Sequence, residues 1–123
     1  MLGIFQRTPV HVKIFRDKIE MINLKTGDSI AKSALQKFSS SRLLVADYSN
    51  AEELCRLIAK ELRLPRNIKV LIQPMEILEG GLGESEKRTM RDLAEQIGAV
   101  SVAIVTDVRS LTNEEALQIL KTV

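Results

Sequence analysis

Two nearly continuous apolar stretches, IKVLIQP at residues 68–74 and VSVAIV at 100–105, bracket a segment whose apolar side chains recur at helical spacing. Side chains alternate between the two faces of a strand, so a strand that is apolar at consecutive positions must be covered on both sides. Strand, helix and strand in that order demand a parallel pair joined by a right-handed crossover. The intervening helix is read from Met90, Leu93, Ala94 and Ile97, at i, i+3, i+4 and i+7, with Gly98 closing it.

The segment upstream has a different period. PVHVKIF (9–15) alternates, KIEMINL (18–24) follows after a two-residue turn, and SIAKSAL (29–35) follows a turn carrying Gly27, where a positive φ is expected. Those three strands form an antiparallel meander. QKFSSS is a loop and RLLVADY a short extended run, before a helix capped by Ser49 or Asn50. Its apolar face is Leu54, Leu57, Ile58 and Leu62, and Pro65 ends it. LTNEEALQILKTV supplies a last helix, with Thr112 and Glu115 at capping-box spacing. The order βββαβαβα gives an α/β fold with a mixed five-stranded sheet and helices on its faces. This is the ribonuclease-H-like arrangement, which is also the half-domain of actin-like ATPases.

A chain of 123 residues suits one domain spanning 1–123, with residues 1–8 read as a flexible N-terminal segment. With 18 basic and 16 acidic residues the charge is too balanced to call for nucleic acid, and the four aromatic residues are too few to stack single strands. One cysteine, Cys55, excludes an internal disulfide and a cysteine-based zinc site, and points to the cytoplasm. No apolar run approaches the roughly 20 residues of a membrane span. The apolar-then-basic start MLGIFQR allows weak contact with a membrane surface.

The glycine-rich stretch EILEGGLGESEKR (76–88) stands where a phosphate-binding loop would, between a strand and a helix. It lacks the Gly-Lys-Ser/Thr end of a Walker loop and the spacing of a dinucleotide loop. Glu76, Glu79, Glu84 and Glu86 surround the glycines and would repel a phosphate without an intervening metal. Asp17, Asp47 and Asp107 stand at segment ends, but the first strand carries none of the carboxylates that a two-metal nuclease needs there. His11, the only histidine, reads as a sheet-face residue, and Cys55 as a half-buried inert thiol.

The pattern resembles MreB, the bacterial actin homologue that determines rod shape, over its first large subdomain. VLIQP followed by GESEKRTMRDLAEQIGAVSVAIVTD is similar to that family's strand, proline, Arg- and Ala-rich helix and next strand, with Glu86, Arg88, Arg91, Asp92, Gly98 and Ala99 at matching places. LLVADYSNAEELCRLIAKEL is similar to the segment and helix before it. The family's first hairpin carries an Asp-Leu-Gly-Thr phosphate loop, where this chain reads KIFRDKIE with no glycine. The rest of the family's nucleotide cleft would follow residue 123, and Asp107 is the rough counterpart of the glutamate that positions water.

The resemblance therefore implies a non-catalytic, MreB-like interaction module with neither cofactor nor metal. Its partner is expected to be a second copy or a cytoskeletal protein, with a link to cell shape. Two readings stay open beside it. One is an enzyme, either a carboxylate-dependent hydrolase using Asp47 and Asp107 or a nucleotide hydrolase rebuilt by a dimer. The other is a small-ligand sensor using the cleft beside Gly80, Gly81 and Gly83.

Overall fold

The computed structural model describes residues 7–79 and 81–123, so the N-terminal stretch read for membrane contact, apart from Arg7, and Gly80 lie outside the described residues. The elements are β1 (Pro9–Phe15), β2 (Lys18–Asn23), β3 (Ser29–Ser33), α1 (Tyr48–Glu61), β4 (Ile68–Pro74), α2 (Glu84–Gln96), β5 (Ala99–Ile104) and α3 (Asn113–Leu120). They form one five-stranded mixed sheet in the order β3-β2-β1-β4-β5. The first three strands are antiparallel, with Val12 opposite Met21 and Met21 opposite Ile30. β1, β4 and β5 run parallel, with Val12 beside Ile72 and Ile72 beside Ile104.

Strand alternation sorts the side chains into two cores. Val10, Val12, Ile14, Ile68, Val70 and Ile72 face α1 and α2, where Ala51, Leu54, Ile58, Met90 and Leu93 complete the larger cluster. Leu71 and Ile22 face α3, packing with Leu111, Ala116 and Leu120. Gly27 and Gly98 have φ of 86° and 107°, as turn and helix end require.

Three sequence expectations need correction. RLLVADY is not an extended run; it is a series of bends that buries Leu44 and Val45 in the larger core. α1 starts at Tyr48 because Asp47, not Ser49 or Asn50, caps it by accepting from the Asn50 N–H at 3.0 Å. Leu57 is 46% exposed, and Ala51 and Cys55 complete the buried stripe instead. β5 has partly buried side chains on both faces, Val102 and Ile104 against the larger core and Ala103 against the smaller, yet it is an edge strand, and Val100 is 50% exposed. An apolar run reports burial on two faces and is blind to the third direction, the hydrogen-bonding edge.

Candidate functional site

β1, β3, β4 and β5 all point their carboxyl ends the same way, which gathers the β1–β2 hairpin tip, the 34–47 loop, the 75–83 loop and the 105–112 loop at one end of the sheet. Open parallel sheets place ligands at this end.

The hairpin tip is Arg16 and Asp17, the latter at φ 53°. A left-handed residue in a two-residue turn suits glycine, asparagine or aspartate, and here the aspartate also bonds. Its carboxylate accepts from the backbone N–H groups of Phe38 (2.8 Å) and Ser39 (2.7 Å), while its own N–H donates to the Ser39 hydroxyl at 3.0 Å. The Phe38 carbonyl then accepts from both Ala46 and Asp47, so the 34–47 loop is folded tightly on the tip, with the Phe38 ring 1% exposed. On the other side the Arg16 N–H donates to Glu76 Oε2 at 2.7 Å. A carboxylate of the chain itself thus occupies the amide that a hairpin phosphate loop would offer to an anion.

Asp47 and Asp107 both stand at this end but serve different faces. Asp47 caps α1 on the side of the larger core. Asp107 accepts from the Arg109 N–H at 2.8 Å, and Arg109 continues to Glu115 on α3 at 3.1 Å. The Thr112 N–H bond holds Glu115 below the usual carboxylate range, with Arg109 assisting, and both halves of the Thr112–Glu115 capping box are made. Gly83 caps α2 through its backbone alone, and Gly81 has a φ of 67° in the turn before it. Gly81 lines a cavity of about 80 Å³ with Leu44, Pro74, Leu78, Leu82, Met90, Thr106 and the carboxylates Glu76 and Glu86. Among the described residues no three histidine, cysteine or carboxylate side chains cluster as a metal site.

His11 lies on the α3 face of the sheet and is fully buried. Gln73 is the reason it can be: its Oε1 meets His11 Nε2 at 2.9 Å, and its Nε2 donates to the carbonyls of Asp107 (2.6 Å) and Arg109 (2.7 Å). An amide with both donors committed to carbonyls must present its oxygen to the imidazole, so His11 carries its proton on Nε2. Among the described residues Nδ1 is a buried acceptor without a partner. Burial lowers the His11 pKa to about 4, opposed by the Gln73 bond and assisted by Lys13. Cys55 is buried, and desolvation pushes its thiol up to about 12, so it is inert at neutral pH.

The residues that organise this end, Asp17, Gln73, Glu76 and Glu86, did not stand out as a group in the sequence. Asp17, Glu76 and Glu86 stood out only singly and Gln73 not at all; the burial of Glu86 could have been read from its place four residues before Met90 and seven before Leu93, on the buried stripe of α2.

No family model matches the chain and no curated protein matches it closely. Several solved structures share its architecture. Over 77% of this chain and 35% of the other, it superposes on the ethanolamine utilization protein EutJ from Carboxydothermus hydrogenoformans with a TM-score of 0.55 and 15% identity. Over 81% and 38%, it superposes on MreB5 of Spiroplasma citri bound to ADP, with a TM-score of 0.54 and 16% identity. Both neighbours have the actin-like ATPase fold. This chain has the fold of an actin-like subdomain. It spans just over a third of the length of either neighbour, and the resemblance to MreB read from its residues is matched in three dimensions.

Proposed function

We propose that this chain is a non-catalytic, actin-like interaction module that neither binds nor hydrolyses nucleotide through its first hairpin. One observation carries the reading. The hairpin tip that would cradle phosphate is filled by the chain's own groups, with the Arg16 N–H on Glu76 and the Asp17 carboxylate on the Phe38 and Ser39 amides. A phosphate approaching the tip would meet two carboxylates, and repulsion at such range outweighs one freed amide. MreB5 is bound to ADP in its structure, so the actin-like frame permits a nucleotide; at this tip the residues oppose one.

What the module contacts follows from the edge strand β5. AVSVAI carries no charge, and charges are the commonest guard against edge pairing. A second copy or a cytoskeletal partner adding a strand beside Val100 fits this edge, and a link to cell shape belongs to the same proposal. Calorimetric titration with magnesium and ATP tests the reading directly: no heat of binding is expected up to millimolar nucleotide. Micromolar affinity would overturn it and favour a nucleotide site rebuilt between two chains.

A further inference from the structure

Glu86 is the third residue of α2, the position from which a glutamate reaches back to its helix cap. Glu115 holds the equivalent place in α3 and does so, bonding the Thr112 N–H and pairing with Arg109. Glu86 makes no hydrogen bond or ion pair among the described residues, and it is only 8% exposed. It lines the cavity formed with Leu78, Gly81 and Leu82. Its oxygens are not fully shut off from solvent, but desolvation is enough to raise its pKa, and an opposite charge beside it would be favourable.

The cavity wall has a consistent chemistry. Leu78, Leu82 and Met90 make it apolar, Thr106 adds a hydroxyl, and Glu86 and Glu76 are both on the lining; among the described residues no basic side chain contributes. Glu76 has one oxygen fixed on the Arg16 N–H, which holds its carboxylate in place. At about 80 Å³ the space exceeds that of a single water and is far below the several hundred of a nucleotide or drug-sized ligand. What is missing is a compact positive charge with a short apolar body.

We propose that this cavity is a binding site for a primary ammonium group on a short apolar stem, paired with Glu86 and with Glu76 beside it. The stem is either that of a free alkylamine or the side chain of a lysine on another protein. An ammonium fits better than a guanidinium, whose planar fork needs more room. The site shares Glu76 with the hairpin tip but turns on Glu86, which takes no part there, so amine binding and nucleotide binding can each fail alone.

The test uses the full chain and follows the methyl resonances of Leu82 and Met90 during titration with n-butylammonium, with Nα-acetyl-lysine amide and with n-butanol at matched ionic strength. Butylammonium is expected to shift these methyls with millimolar affinity, at least about tenfold tighter than butanol, the gain expected of a charge-assisted bond. Glu86→Gln, which keeps shape and fold, removes that preference. Leu82→Phe fills the cavity without touching a carboxylate and removes binding. If butylammonium binds, the source is a free amine; if the lysine amide alone binds, it is a protein side chain. Equal binding of butanol, an unchanged preference in Glu86→Gln, or no response to either amine overturns the proposal.

Discussion

Replacing Gln73 by leucine tests whether the His11–Gln73 pair is what ties the sheet to the loop before α3. Both residues are fully buried, and leucine keeps the volume filled. The substitution strips His11 Nε2 of its partner at 2.9 Å, adding a second unpaired nitrogen to one buried ring. A buried donor left unmade costs about 1–3 kcal/mol. The Asp107 and Arg109 carbonyls lose their bonds too, but both residues are exposed and water replaces most of that, at about 1 kcal/mol together. Burying a leucine returns about 1 kcal/mol. The net is a loss of about 2 kcal/mol, which lowers a urea midpoint by roughly 1 M for a domain of this size. His11→Leu alone leaves Gln73 Oε1 unpaired, whereas the double variant leaves neither partner stranded. Urea denaturation of all four proteins should therefore show a coupling of about 1–3 kcal/mol, the double variant being less destabilised than the sum of the singles. Additivity within about 0.5 kcal/mol, or a Gln73→Leu cost below that, would refute the reasoning and make the pair a bystander.

Leu93→Ala should cost about 2–5 kcal/mol in the same assay, since Leu93 is 1% exposed between α2 and the sheet; a cost near zero would mean that α2 does not pack there. The pH dependence of stability carries the signature of His11. Its pKa in the folded protein, about 4, lies below the ordinary 6.5, so the unfolded chain takes up the proton first as pH falls. The stabilisation is complete above pH 6.5 and is lost between pH 6.5 and 4, amounting to about 3 kcal/mol for a shift of that size. Urea titrations of wild type and His11→Leu across this window isolate it, because the carboxylates titrate alike in both; parallel profiles would show that His11 is reached by water.

The sheet was legible because period survives in sequence. Alternation from Val10 to Ile14, the unbroken run at 68–74 and the helical spacing of Met90, Leu93 and Ala94 each report the geometry of their own segment, and all three were read correctly. The helix ends were readable only where a cap is spelled out locally, as Thr112 and Glu115 spell α3. Asp47 was passed over because two later residues, Ser49 and Asn50, are also good caps, and the choice among them is made by the Phe38 carbonyl that holds the Asp47 N–H in an extended approach.

What the residues could not announce is contact across sequence distance. Glu76 meets the Arg16 amide across 60 positions, His11 meets Gln73 across 62, and no periodicity encodes either. That limit bears on how the actin-like likeness should be used. The likeness rests on strand order and helix placement, which a core of aliphatic side chains fixes with little regard to which polar groups sit at the strand ends. The end of the sheet is a separate layer, and there Arg16 and Asp17 are held by a carboxylate over the Arg16 amide and a 34–47 loop bonded to Asp17. A decayed phosphate loop would leave such amides open to water. Two bonds of 2.7 Å from different parts of the chain closing on one tip are instead the mark of a site whose polar groups have been satisfied internally, and it is this closure, rather than the missing glycine, that argues against a nucleotide at the hairpin.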